Sequence, residues 1–194
     1  MLDKNPDHIL AESLRQIRDG SSEHNPNIIL ASKPFHKAEL VNSLLESINY
    51  PVILLDFDLL YSGYVASKMI QKRDDVHIFR PRREDWNKTL HTVLEKICQG
   101  RFMVIIDSFN GLHNMYNDKD SARFVNASLM LLAFVGKFQR CPVVAMALAK
   151  KNKRNDWVLS PGGRRIINSK NSHFYTVGKN DDVLSVTPLE NIIQ

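Results

Sequence analysis

Asn27-Ile28-Ile29-Leu30-Ala31-Ser32-Lys33-Pro34-Phe35-His36-Lys37-Ala38 is the stretch on which the reading of this chain turns. Asn27–Ala31 is a short apolar run that reads as a buried strand. A helical pattern follows from about Lys37 to Ile48, with Leu40, Val41, Leu44, Leu45 and Ile48 on one face. Strand, loop and helix are the setting of a phosphate-binding loop, whose frame is G-x-x-x-x-G-K-[ST]. Only Lys37 fits that frame. Ala31 and His36 occupy the glycine positions, and Ala38 lacks the hydroxyl that would ligate Mg²⁺. Glycines let the backbone N–H groups wrap a phosphate, whereas His36 puts a side chain at the crowded turn and Pro34 removes an N–H. The expected cofactor set is therefore none, with ATP and Mg²⁺ at most weak ligands through Lys37.

Outward from this stretch, apolar runs and helical stripes alternate. Val52–Asp56, Val76–Phe79, Phe102–Asp107 and Pro142–Leu148 read as strands, several of them apolar throughout, as parallel strands buried on both faces are. Helical patterns lie between them at Tyr64–Gln71, Trp86–Cys98 and Ser121–Phe138, and a shorter one at Asp7–Arg18 precedes the first strand. His173–Val177 and Val183–Val186, separated by Gly178–Asp182, read as an antiparallel hairpin. The fold class expected is α/β: a mostly parallel central sheet covered by helices, with a C-terminal antiparallel hairpin. Residues 1–24 are expected to be an N-terminal helix or extension and residues 25–194 one core domain.

The chain has 194 residues, 43% of them hydrophobic and 24% charged, which suits one globular domain. Its longest apolar runs, such as Leu129–Val135, are too short to span a bilayer. The N-terminal residues lack the pattern of a signal peptide, and Cys98 and Cys141 are isolated, so a reducing cytoplasm is the expected location. A net charge of +5 permits nucleic acid or another anionic partner without requiring one. Seven histidines are scattered without metal spacing, so no metal is expected and His36 reads as an exposed loop residue.

Two strands end in acids. Phe102–Ile106 runs into Asp107, and Val52–Leu55 into Asp56-Phe57-Asp58, whose two carboxylates share one side by period-two alternation. Ligands of open parallel sheets bind at that edge, although Asp also caps turns at strand ends.

Taken in order, these pieces resemble the RecA/RadA recombinase superfamily, which includes KaiC-like proteins and recombinase paralogues such as RadB. The carriers are the degenerate loop Ala31–Ala38, Leu54–Asp58, Val104–Ser108, the helix Ser121–Phe138, the strand Pro142–Leu148 and Ser160-Pro161-Gly162-Gly163. The resemblance covers about residues 25–190 and implies a RecA-like three-layer sandwich. By position it makes Lys37 the phosphate lysine, Asp107 the Mg²⁺-side acid and Asp58 the counterpart of the catalytic glutamate. With several contacts missing, and roughly 10²–10³ in rate lost for each such electrostatic contact, Asp58 and Asp107 are expected to be vestigial.

A basic loop carries the other expectation. Lys150, Lys151, Lys153, Arg154, Arg164 and Arg165, with Trp157, put six cations and one aromatic into sixteen residues after a central strand. Such a loop suits a phosphate backbone with a base-stacking platform, and the resemblance places the second DNA-binding loop there. Arg80-Pro81-Arg82-Arg83 is offset by Glu84-Asp85 and reads as a surface turn with Asp85 capping the next helix. Phe35–Ala38 and Phe124–Ala127 match a Phe-x-x-Ala docking pattern, but both lie inside expected core elements.

The expected function is a non-hydrolysing recombinase paralogue that binds single- or double-stranded DNA and assists recombination or repair. Its expected partners are a RecA/RadA-type recombinase, other RecA-fold subunits or further copies of itself, with no membrane. The alternatives are a slow DNA-dependent ATPase and a structural pseudo-ATPase subunit of an Elongator-like ring.

Overall fold

The computed structural model describes residues 6–19, 25–116, 121–160, 166, 169–180 and 183–189. Among these residues there are eight strands: β1 (Asn27–Ala31), β2 (Val52–Asp56), β3 (Val76–Phe79), β4 (Met103–Asp107), β5 (Val143–Lys151), β6 (Trp157–Leu159), β7 (His173–Asn180) and β8 (Val183–Pro188). The helices are α1 (Pro6–Asp19), α2 (Pro34–Ser47), α3 (Leu60–Ala66), α4 (Trp86–Gln99), α5 (Phe109–Asn114) and α6 (Ser121–Phe138). The sheet order is β3-β2-β4-β5-β1-β7-β8, with β6 paired to the far end of β5. Every pairing from β3 to β7 is parallel, and β8 closes the edge antiparallel to β7.

The apolar runs explain this architecture. All five residues of β1, β2 and β4 are buried, so both faces of the central sheet must be covered. Alternate residues feed two cores. Ile28, Leu30, Ile53, Leu55, Val104 and Ile106 pack under α4, α5 and α6, with Trp86, Phe109 and Leu129 among the helical partners. Ile29, Ala31, Val52, Leu54, Met103 and Ile105 pack under α1 and α2, against Leu14, Ile17, Leu40, Val41 and Leu44. The result is a three-layer α/β sandwich. Helix α1 belongs to the second layer, and its Ser13 hydroxyl donates to the Val186 carbonyl at 3.0 Å.

Register decides where chemistry can gather. Ala31 lies opposite both Leu148 and Val177, and Asp56 opposite Asp107. β2 and β4 end level with each other, β1 runs two residues further, and β5 and β7 further still, so the residues at and beyond these carboxyl ends gather at one edge of the sheet.

Four elements differ from the expectation. Helix α2 starts at Pro34 rather than at Lys37, because proline fits the first helical position, where its missing N–H costs nothing. Helix α3 covers Leu60–Ala66 instead of Tyr64–Gln71: Leu59 turns the chain at φ 57°, and Asp56 accepts the Ser62 N–H at 2.7 Å, which starts the helix early. The short elements α5 and β6 had no periodic signal long enough to be read. Asp85 stands at the N-terminus of α4, yet its carboxylate accepts the Arg82 N–H at 2.7 Å and makes no side-chain cap bond. Pro161, Gly162, Gly163, Arg164 and Arg165 lie outside the described residues, as do Asp181 and Asp182 of the expected hairpin turn.

Candidate functional site

Only Ser32 and Lys33 separate β1 from α2. A phosphate-binding loop needs several successive backbone N–H groups curving around an anion before the helix begins. Here the strand passes almost directly into a helix opened by a proline, so Lys37 sits in the first turns of α2 and points into the protein. His36, expected on an exposed loop, is also helical and buried, and its Nδ1 has no hydrogen-bond partner.

Lys37 is completely buried. Its Nζ donates to Asp58 Oδ2 at 2.8 Å and to Asp107 Oδ1 in a short contact. The acids are held from both sides. Asp56 and Asp107 are cross-strand partners on the face that α2 covers, and both are buried. The Asp107 carbonyl accepts the N–H groups of Phe57, at 2.7 Å, and Asp58, at 3.3 Å, which folds the end of β2 over the end of β4. On the other side, Gly111 of α5 packs so close that a Cβ there would lie 2.5 Å from Asp58 Oδ1 and 2.7 Å from Phe57 Cβ. The Ser108 side chain accepts the Gly111 N–H at 3.1 Å and fixes that helix start.

One buried ammonium thus pairs with two acids, one of them, Asp58, 26% exposed at the side chain, while Asp56 lies beside Asp107. Burial, opposed by the Lys37 charge and its hydrogen bond and helped by Asp58 and Asp56, raises the Asp107 carboxyl to about 6. Burial alone would lower the Lys37 pKa, but the charges of Asp107 and Asp58 outweigh it and hold the ammonium above its ordinary value. Oδ2 of Asp107 and Oδ1 of Asp56 have no hydrogen-bond partner. The cation that the sequence offers to a phosphate is held by the acid it offers to Mg²⁺, Asp107, and by the one it offers in place of the catalytic glutamate, Asp58. Whether these residues fit Mg-ATP follows from that geometry. With Ala38 in place of a hydroxyl and Lys37 against the acids, they do not fit it. Among the described residues no group of three or more His, Cys, Asp or Glu is placed to hold a metal ion.

The basic loop has a more definite form than its sequence suggested. Residues 149–151 extend β5 beyond its neighbours and pair with Trp157–Leu159, so Lys150 to Trp157 is the tip of a β-hairpin standing on the same edge. Asn152 builds the tip: its Oδ1 accepts the N–H groups of Arg154, at 2.8 Å, and Asp156, at 3.0 Å, and its N–H donates to the Asp156 carbonyl at 2.9 Å. Asn155 takes the left-handed conformation at φ 68°, where asparagine is tolerated. Lys150, Lys151, Lys153 and Arg154 are exposed. Trp157, expected as a stacking platform, packs partly buried against the core, with Lys151 Nζ 5.7 Å from its ring centre.

Sequence reading missed Asn110. It is buried in α5, three residues after Asp107, and it clamps the base of the hairpin. Its amide donates to the carbonyls of Leu148, at 3.0 Å, and Ser160, at 2.7 Å, while its oxygen accepts the Leu148 N–H at 2.7 Å. The only sequence signal was a polar residue just after a strand-end acid, which by itself reads as a turn. Arg80, set aside as a turn residue, donates from Nε to the Ser62 hydroxyl at 2.9 Å.

A mostly parallel sheet between two helical layers, with acids at its carboxyl edge and an antiparallel closing hairpin, is a RecA-like fold. A solved structure agrees: a DnaB-like replicative helicase, described with its interactions with primase, has a TM-score of 0.55 to this chain at 10% sequence identity. The match covers 83% of this chain and 48% of the helicase chain, so this chain spans about half the length of that protein. No protein-family model matches the sequence, and no curated protein matches it. Among the described residues no helix is long and apolar enough to cross a membrane.

Proposed function

We propose that this protein is a non-hydrolysing RecA-like paralogue that binds DNA through the β5–β6 hairpin and assists homologous recombination or repair. It acts beside a RecA/RadA-type recombinase or another RecA-fold subunit, or as a homo-oligomer. The observation that carries the reading is the division of labour at the carboxyl edge. Lys37 is taken up by Asp58 and Asp107, which among the described residues leaves no lysine or arginine free inside the site, while four exposed cations stand on an ordered hairpin beside it. An ordered tip loses little conformational entropy when a phosphate backbone docks on it. The helicase neighbour supports the fold on which such a loop would work, and its own activity is not carried over.

The test is titration of labelled single- and double-stranded DNA at two salt concentrations. Replacing Lys150, Lys151, Lys153 and Arg154 by Ala should weaken binding and reduce the salt slope by roughly 3 for single strands, four phosphate contacts at about 0.7 each. No binding by the parent chain at low salt overturns the proposal. A melting temperature raised by millimolar Mg-ATP would instead favour the slow ATPase, since a ligand of the native state stabilises it.

A further inference from the structure

Resting on that nucleic-acid reading, we propose that the exposed ring of Phe35 is the stacking platform for an unpaired base, so that the edge above β5, β1 and β7 takes single-stranded nucleic acid. Trp157, the aromatic of the hairpin, is partly buried against the core and presents little free ring face. Phe35 is the opposite case: it is 60% exposed in the first turn of α2, so most of its ring area faces solvent. It stands among cations. Lys33 beside it is exposed, and Lys179 Nζ lies 5.3 Å from its ring centre.

Topology joins this ring to the hairpin. Ala31 is level with Leu148 of β5 on one side and Val177 of β7 on the other. Adjacent strands are about 4.8 Å apart, so the hairpin cations, the start of α2 and Lys179 stand at the ends of three consecutive strands. Among the described residues, the acids on this edge already have partners. Lys179 pairs with Glu39 at 3.0 Å, Lys37 with Asp58 at 2.8 Å, and Asp156 accepts the Asn152 amide at 3.2 Å. Lys179 is balanced by Glu39, and the surplus positive charge around the bare aromatic comes from the exposed Lys33, Lys150, Lys151, Lys153 and Arg154. Such a combination holds single strands without sequence preference. A duplex hides its base faces in its own stack, so an aromatic platform favours the unpaired form.

The experiment measures binding of an oligothymidylate of about 16 nucleotides, the upper end of common single-strand site sizes, and of a duplex of the same length. The chains compared are the parent, Phe35→Ala and Phe35→Trp, with thermal melting as the folding check. Phe35→Ala should lose roughly five-fold or more in single-strand affinity, the low end of base–aromatic stacking, with duplex binding unchanged. Phe35→Trp should retain or improve it. Single-strand binding unchanged in Phe35→Ala, or an equal loss for both DNA forms, overturns this inference and leaves the hairpin reading standing. Absence of binding by the parent overturns both.

Discussion

Lys37→Met separates a structural lysine from a nucleotide-binding one. An exposed phosphate lysine could be replaced by methionine with little effect on stability. Here Lys37 is fully buried, and so are Asp56 and Asp107. Methionine fills nearly the same volume, so the main change is the loss of the positive charge. Asp107, already raised to about 6 with the lysine present, loses the two interactions that restrain it. Breaking a buried pair from one side costs about 3–5 kcal/mol, which for a domain of this size lowers Tm by about 6–20 °C. The acid left behind sets the pH dependence. A carboxyl raised in the folded state contributes stability that is present below its unfolded pKa of 3.8 and lost as pH rises through the folded value. The deficit of Lys37→Met should therefore be smaller at pH 5 than at pH 8, and Lys37→Met with Asp107→Asn should recover much of it. Urea denaturation of the parent, the single and the double variant at both pH values is the assay. A Lys37→Met protein as stable as the parent at pH 8 would refute the argument.

Three further predictions follow from the same edge. In the parent chain, the raised Asp107 alone should remove about 2 kcal/mol of stability between pH 4 and pH 6, at no more than about 1.4 kcal/mol per pH unit. Asp107→Asn should flatten that part of the profile, and an unchanged slope would show that another group titrates there. Asn110→Ala removes the partner of the Leu148 N–H and of the Ser160 carbonyl and should cost about 1–3 kcal/mol, with faster amide exchange in residues 148–160. If those amides exchange as before, Asn110 is not the clamp. Gly111→Ala drives a Cβ against Asp58 and Phe57, an overpacking cost of about 1–3 kcal/mol, read as a lower urea midpoint. A Gly111→Ala chain of parental stability would mean that α5 yields easily.

Much of the fold was legible because periodicity reports local burial. The bounds of β1, β2, β3 and α6 follow from apolar runs that end abruptly, and the run Pro142–Leu148 marks β5 as a central strand, though not its extension to Lys151. The same signal fails for short elements. Six residues in α5 and three in β6 give no period: α5 is started by its N-cap Ser108, whose side chain accepts the Gly111 N–H, and β6 by pairing with the extended end of β5. The start of α3 is not legible in the sequence because the acceptor for its Ser62 N–H, Asp56, comes from the preceding strand rather than from the N-cap position, which Leu59 occupies.

The sequence by itself determined a parallel α/β sheet, the acids at its strand ends and the cations beyond Leu148, because each is a property of neighbouring residues. It could not show what those charges do. Lys37 lies 21 residues from Asp58 and 70 from Asp107, and they meet only because β2, β4 and α2 converge on one edge. Pro34 starts the helix early and aims the lysine inward, where burial makes a pairing with acids far stronger than it would be in water. Tertiary structure likewise turned Trp157 toward the core and left Phe35 outside. Side-chain chemistry was written in the chain, and its direction was decided by packing.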